Sequence, residues 1–139
     1  MPDRFFLDTN ILLYSFDTRD RSKQETALTL VERALAEQAG VISFQVVQEF
    51  LNVAVQKWEH LLPAWECKAY LEKVLDPLCE ILPGKVLYES ALDVREETGF
   101  RFYDSLIVAA AVQAGCKILY SEDLQAGRQI SGLTIQNPF

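Results

Sequence analysis

The sequence predicts an α/β fold with three layers, α/β/α, around a mostly parallel sheet of approximately five strands. Three observations lead to this prediction. Short apolar runs alternate along the chain with longer segments in which apolar residues recur at helical spacing. Such alternation is typical of a parallel sheet covered by helices on both faces. Half of the 139 residues are apolar and no linker or repeat interrupts them, so residues 1–139 are predicted to form a single domain.

The five predicted strands are short apolar runs bounded by polar residues, glycine or proline. The first, RFFLD, is rich in aromatic side chains and ends in a carboxylate. The second follows Gly40 and the fourth follows Gly115, because glycine commonly ends the preceding helix. The strands are predicted at residues 4–8, 41–44, 79–82, 117–120 and 133–136.

The predicted helices have apolar residues every three or four positions, or are apolar throughout. Thr9 and Asn10 are suited to cap the first helix. Pro63 is suited to the first turn of the fourth, which is expected to end before Pro77. The last helix, from Tyr103, is apolar on nearly every face and is therefore predicted to be buried. The helices are predicted at residues 9–16, 24–39, 45–58, 63–76, 85–97 and 103–114.

Composition excludes several classes of protein. The longest apolar run, residues 106–112, is far shorter than the roughly 18 residues of a membrane span, so a soluble, unsecreted, cytoplasmic protein is expected. Three widely spaced cysteines predict reduced thiols rather than a zinc or redox site. A single histidine, His60, leaves little basis for a histidine-dependent triad. The absence of GxGxxG and of a phosphate-loop motif disfavours nucleotide binding.

The net charge of −7 argues at first against a nucleic-acid partner, because phosphate binding normally uses lysine and arginine. Bound divalent cations would reverse the local field around a group of acids, however. The charge therefore weakens a nucleic-acid function without excluding it.

Four acids far apart in the sequence are predicted to meet at one edge of the sheet. In such a fold each helix begins at the edge where the preceding strand ends, and ligands bind there. Asp8 closes the first strand and Asp123 follows the fourth, while Glu49 and Asp104 lie near the starts of two helices. Crowded carboxylates repel one another unless a cation lies between them, and hard divalent cations prefer oxygen ligands. The sequence therefore predicts a metal-dependent enzyme.

Three of these acids also have purely structural interpretations. Asp8 could cap the helix that follows it, although Asn10 could supply that cap instead. Glu49 lies at the margin of an apolar stripe, where an exposed glutamate is common. Asp123 could belong to a turn capped by Ser121.

Asp104 is the most informative acid, because it opens the helix that is predicted to be buried. The helix dipole stabilises an acid in the first turn by roughly 0.3 to 1 kcal/mol, which is small beside the cost of desolvating a carboxylate. A bound metal ion accounts for the difference better.

The acids lie in four segments: FLDTNILLY, ISFQVVQEFLNV, GFRFYDSLIVAAAVQAGC and ILYSEDL. In the same order, these resemble the four acidic motifs of the PIN-domain ribonucleases, and most closely those of the small VapC-like toxins of type II toxin–antitoxin systems. The third segment is the most specific, and the resemblance runs nearly from end to end. The residues that match are Asp8, Asn10, Glu49, Asp104, Ser121 and Asp123.

The resemblance implies a Rossmann-like PIN fold and a Mg²⁺- or Mn²⁺-dependent endoribonuclease. The implied catalytic and metal-ligating residues are Asp8, Glu49, Asp104 and Asp123, supported by Asn10, Ser121 and Glu122. Since Glu122 is an additional acid beside Asp123, the fourth ligand stays open between them. The resemblance also implies a homodimer and an antitoxin that covers the active site.

Two further features concern partners. Arg101, three residues before Asp104, could contact a phosphate of an RNA substrate. Residues 58–75 hold both tryptophans, which fits either ordinary core packing or a protein interface.

Other functions stay open at this point. One alternative is an RNA-processing or DNA-acting nuclease of the same family without an antitoxin. A second is a catalytically silent binding module, which the retention of all four acids disfavours.

Overall fold

A computed structural model describes residues 2–57 and 62–139. Its sheet has six strands in the order β3-β2-β1-β4-β6-β5, and every neighbouring pair is parallel except β5 and β6. All residues of the central strands β1 and β2 are buried on both sides, because helices cover both faces of the sheet. The predicted three-layer α/β fold is confirmed. The strands are β1 (Phe5–Leu7), β2 (Gly40–Ser43), β3 (Cys79–Ile81), β4 (Ile118–Tyr120), β5 (Gln129–Ile130) and β6 (Leu133–Gln136).

All five predicted strands are present, and β5 is the one that the sequence analysis missed. It has two residues and pairs antiparallel with β6 through a tight turn at Ser131 and Gly132, both with positive φ. Two residues are too few to show an alternating pattern, so composition could not reveal this strand.

The helices alternate with the strands as predicted, with differences at their ends. Asp20 caps α2 by accepting a 3.1 Å hydrogen bond from the Lys23 amide, so this helix begins three residues earlier than predicted. Pro77 lies inside the short helix α5 rather than beyond a helix end. The helices are α1 (Thr9–Tyr14), α2 (Arg21–Ala36), α3 (Phe44–Asn52), α4 (Ala64–Tyr70), α5 (Asp76–Leu78), α6 (Lys85–Thr98) and α7 (Phe102–Gln113).

Two π-helical turns, which the sequence analysis did not predict, extend these helices. One continues α3 over Val53–Lys57, and the other joins α4 to α5 over Leu71–Leu75. The predicted end of the helix at Trp58 lies outside the described residues, and so does His60.

Helix α7 lies in the core as predicted. Seven consecutive residues, from Ser105 to Ala111, are buried, and the helix packs on α6, β2 and β4. A charged residue at its start is therefore placed where the core meets the edge of the sheet.

The close packing of α2 on the sheet depends on Gly40. A Cβ atom on this residue would lie 2.1 Å from the Ala34 Cβ, far inside van der Waals contact. Any larger side chain would push α2 away from β2.

The three cysteines are free thiols, as predicted, with Cys67 and Cys116 buried and Cys79 half-buried. No helix in the described part of the chain has the length and apolar character that crossing a membrane requires.

Candidate active site

The four predicted acids line one cleft of about 310 Å³ at the carboxyl edge of the sheet. Asp8 follows β1, Glu49 lies in α3, Asp104 lies in the first turn of α7, and Asp123 follows β4. The convergence therefore comes from the topology, because each residue stands where a strand ends or near the start of a helix. The cleft is lined by Asp8, Thr9, Asn10, Leu13, Gln45, Glu49, Asn52, Val53, Lys57, Asp104, Ile107 and Asp123.

Asp8 is held by two short hydrogen bonds. Its Oδ1 accepts from the Thr9 amide at 2.7 Å, and its Oδ2 accepts from the Ser121 hydroxyl at 2.7 Å. Asp8 is thus the N-cap of α1, which confirms its structural interpretation, and the alternative prediction that Thr9 and Asn10 provide the cap is wrong. The aspartate satisfies the helix end with one oxygen, which leaves Asn10 free for another contact.

Burial raises the pKa of the Asp8 carboxyl from 3.8 to about 6. The hydrogen bonds from Ser121 and Thr9 lower this pKa, whereas repulsion from Glu49 and Asp123 raises it further. The upward effects prevail, so ionising Asp8 costs more free energy here than in water unless a positive charge is added.

Glu49 is oriented by two side chains that the sequence analysis did not identify as part of the site. The Thr9 hydroxyl donates to its Oε2 at 2.6 Å, and the Gln45 amide donates to its Oε1 at 2.8 Å. The same Gln45 nitrogen also donates to the Tyr103 carbonyl at 3.0 Å, which ties α3 to the start of α7. Gln45 lies one turn before Glu49, and this i, i+4 spacing was the signal available in the sequence.

The two adjacent acids after β4 have different surroundings. Asp123 lines the cleft, and its Oδ2 accepts a 3.0 Å hydrogen bond from the Asn10 amide. Glu122 is not among the lining residues: it forms an ion pair with Lys23, and hydrogen bonds from Lys23 and Tyr14 lower its pKa. Within this turn, Asp123 is the acid that faces the cleft.

Asp104 completes the group at the start of α7. Burial raises the pKa of its carboxyl, the nearby positive charge of Arg101 lowers it, and repulsion from Glu49 and Asp123 raises it. Arg101 itself is exposed and is not among the residues that line the cleft. Among the described residues, no side chain donates a hydrogen bond to the Asp104 carboxylate.

The oxygen atoms of this cleft suit a hard divalent cation. The cleft offers the oxygens of four carboxylates. It also offers the buried amide oxygens of Asn10 and Gln45, which have no hydrogen-bond partner. Nowhere in residues 2–57 and 62–139 do three acidic, histidine or cysteine side chains stand close enough together to enclose an ion. The acids therefore line the wall of an open cleft and do not form a closed cage, which suits Mg²⁺ because that ion keeps several of its waters and is usually held by one or two carboxylates.

A known protein family matches most of this chain. Residues 5–129 match the model of the PIN domain family. None of the curated proteins matches the chain.

Solved structures similar in fold include several toxin proteins. A toxin–antitoxin complex from Klebsiella pneumoniae is 20% identical over 96% of this chain and 97% of its own, with a TM-score of 0.66. A DNA-bound VapBC complex from Salmonella typhimurium is 17% identical over 99% of this chain and 100% of its own, with a TM-score of 0.68. A sarcin-ricin loop cleaving toxin from Mycobacterium tuberculosis is 19% identical over 86% of this chain and 89% of its own, with a TM-score of 0.58.

At these identities the structures support the fold, and the family model identifies the family. Because that model matches most of the chain, this protein belongs to the PIN domain family.

Proposed function

We propose that this protein is a Mg²⁺- or Mn²⁺-dependent endoribonuclease that acts as the toxin of a toxin–antitoxin pair. The observation that carries the proposal is the cleft itself, in which Asp8, Glu49, Asp104 and Asp123 face one another and the pKa of Asp8 and Asp104 is raised. A group of acids that is costly to ionise without a cation is suited to hold one.

The four acids are the proposed metal ligands and catalytic residues. Thr9, Asn10, Gln45 and Ser121 are proposed to orient three of these acids through the hydrogen bonds described above, in the way that outer groups generally fix metal ligands. The three are Asp8, Glu49 and Asp123. Glu122 is proposed to act only at a distance, because Lys23 and Tyr14 already bind its carboxylate.

The residues present account for hydrolysis of a phosphodiester without a covalent intermediate. A bound divalent ion supplies a water of lowered pKa and stabilises charge on the phosphate. The cleft lacks cysteine and histidine among its described lining residues, so the carboxylates are the groups available to accept a proton from the attacking water.

RNA as substrate and an antitoxin as partner are supported by the similar structures. The structures from Klebsiella pneumoniae and Salmonella typhimurium are complexes of toxin with antitoxin, and the one from Mycobacterium tuberculosis is described as cleaving the sarcin-ricin loop. We extend these properties to this chain, together with the homodimer and the cytoplasmic location expected from the resemblance.

The surface also offers a place for a protein partner. Within the segment 58–75, the ring of Tyr70 packs on Phe16 and Phe50 with ring centroids 4.9 Å apart in both pairs, as core packing requires. Trp65 is 72% exposed, and Leu71 is also exposed. Residues 58–61, including Trp58, lie outside the described part of the chain. We assign the exposed side chains of this segment to a protein interface.

A cleavage assay on defined single-stranded RNAs tests the proposal. The purified protein should cut RNA with Mn²⁺ or Mg²⁺ and should stop when excess chelator is added. An Asp8→Asn variant that keeps the fold should be inactive under the same conditions. Cleavage that continues in excess chelator would exclude the metal-dependent mechanism.

A further inference from the structure

A π-helical turn places a basic side chain in the acid cleft. Among the lining residues that the structure describes, Lys57 is the only basic one. It ends the turn Val53–Lys57, in which backbone hydrogen bonds run from i to i+5. Single π turns within α-helices are frequent at functional sites.

The π turn explains why Lys57 faces the cleft. Gln45, Glu49, Val53 and Lys57 are spaced four residues apart, and all four line the cleft. In a regular α-helix of 3.6 residues per turn, positions four apart drift round the axis, so the last would leave the face of the first. The π turn holds more residues than a turn of α-helix, because its hydrogen bonds span five residues instead of four, and this offsets the drift. Lys57 therefore stays on the face that carries Glu49.

The charge of Lys57 is free to bind an anion. Its side chain is exposed, and within residues 2–57 and 62–139 it forms no ion pair with a carboxylate. Every other charged residue in the described lining of the cleft is an acid. An ammonium group beside a cation site repels the cation unless an anion lies between the two charges. In a phosphodiesterase site that anion is the phosphate of the substrate.

We propose that Lys57 binds a phosphate oxygen of the RNA strand while the acids hold the metal ion. This inference rests on the proposed function and adds a substrate-binding residue to it. A lysine ammonium contacts phosphate as a point charge and does not read bases, so Lys57 contributes to affinity equally for different RNA sequences. Arg101 is not among the residues that line the cleft, and the substrate-binding role predicted for it stays a separate prediction.

Cleavage and binding of one labelled single-stranded RNA, compared at several salt concentrations, test this role. Lys57→Met should lower kcat/KM by about 10-fold and reduce the salt dependence of RNA binding by about 0.7 in the logarithmic slope, the value of one phosphate contact to a single strand. Lys57→Arg, which keeps the charge, should stay within about 3-fold of the wild type. The matched control is Lys85→Met, at an exposed lysine on α6 that is not among the residues lining the cleft.

The outcomes separate this inference from the proposed function. A Lys57→Met protein that binds RNA with wild-type affinity and salt slope overturns the role of Lys57, as does an equal loss in Lys85→Met. A wild type that binds RNA but does not cleave it, with binding weakened by Lys57→Met, overturns the proposed activity and supports the phosphate contact. Mn²⁺ that binds the folded protein should raise its melting temperature, and Lys57→Met should keep this rise. Loss of the rise would mean that Lys57 acts on the metal site, which overturns its role as a phosphate contact.

Discussion

Two kinds of acidic side chain lie next to each other in this molecule, and they differ in whether a basic side chain of the described residues forms an ion pair with them. Glu122 is bound by Lys23 and Tyr14, and its pKa is lowered. Its neighbour Asp123 faces a cleft in which Asp8 and Asp104 have raised pKa values. Glu122 and Asp123 are adjacent in the sequence, yet the first has an ion-pair partner and the second belongs to a group of acids that has none among the described residues.

This difference distinguishes a structural acid from a functional one. Lys23 also stacks over the rings of Tyr14, at 4.7 Å from the centroid, and Phe139, at 5.5 Å, so the ion pair belongs to the packing of the C-terminus. In the cleft, serine, threonine, asparagine and glutamine hold the carboxylates in place without neutralising them. The cleft acids therefore form no ion pair among the described residues, and hydrogen bonds orient three of them, Asp8, Glu49 and Asp123, as expected for residues that bind an ion from solution.

Removing one acid from each group gives the largest expected effect. Asp104→Asn should lower metal-dependent RNA cleavage by at least about 100-fold, because stabilisation by a metal ion amounts to several kcal/mol. Glu122→Gln, the matched control, should stay within about 3-fold of the wild type. Initial rates on the same RNA measure both. Equal losses in the two variants would show that the acids do not differ in function.

A smaller effect concerns stability without metal. A carboxyl whose pKa rises from 3.8 to about 6 on folding costs up to about 3 kcal/mol of unfolding free energy when it is ionised. In chelator at pH 7, Asp8→Asn should therefore be more stable than the wild type by about 1 to 3 kcal/mol in urea unfolding.

The sign of this effect follows from proton binding. Between pH 3.8 and about 6 the folded state of the wild type holds a proton that the unfolded state has lost, so stability contributed by Asp8 falls as pH rises through this range. The advantage of Asp8→Asn should nearly vanish at pH 4 and be constant above pH 7. A variant that is less stable than the wild type at pH 7 in chelator would contradict the assignment of Asp8 as an uncompensated acid.

The smallest effect is expected from the paired group. Lys23→Met removes a cation from a partly exposed ion pair, and such pairs contribute little to stability. We expect a slight fall in melting temperature and no loss of the metal-induced rise. A loss of metal binding in this variant would mean that the two groups of acids are coupled.

The fold and the position of the site could be predicted largely from periodicity and topology. Helix α7 is apolar at every position from Leu106 to Val112, so the sequence already indicated that the helix is buried and that an acid at its start, Asp104, is exceptional. Asp8 could be placed at the edge of the sheet because an apolar strand precedes it.

Other features depend on side-chain geometry that a linear pattern does not contain. The sequence offered Asp8, Thr9 and Asn10 as caps of α1, and only the structure shows that Asp8 caps the helix with one oxygen and binds Ser121 with the other. The hydrogen bond from Gln45 to Glu49 required the actual rotamers. The position of Lys57 required the π turn, which helical periodicity cannot reveal.

Binding of Mn²⁺ measures in one experiment whether the acids of the cleft bind a cation and whether Glu122 does not. At a Mn²⁺ concentration 100 times the dissociation constant, the wild type and Glu122→Gln should both gain about 2.7 kcal/mol in unfolding free energy, with a matching rise in melting temperature. Asp104→Asn should gain much less. No gain in the wild type at millimolar Mn²⁺, or the same gain in Asp104→Asn, would contradict the account.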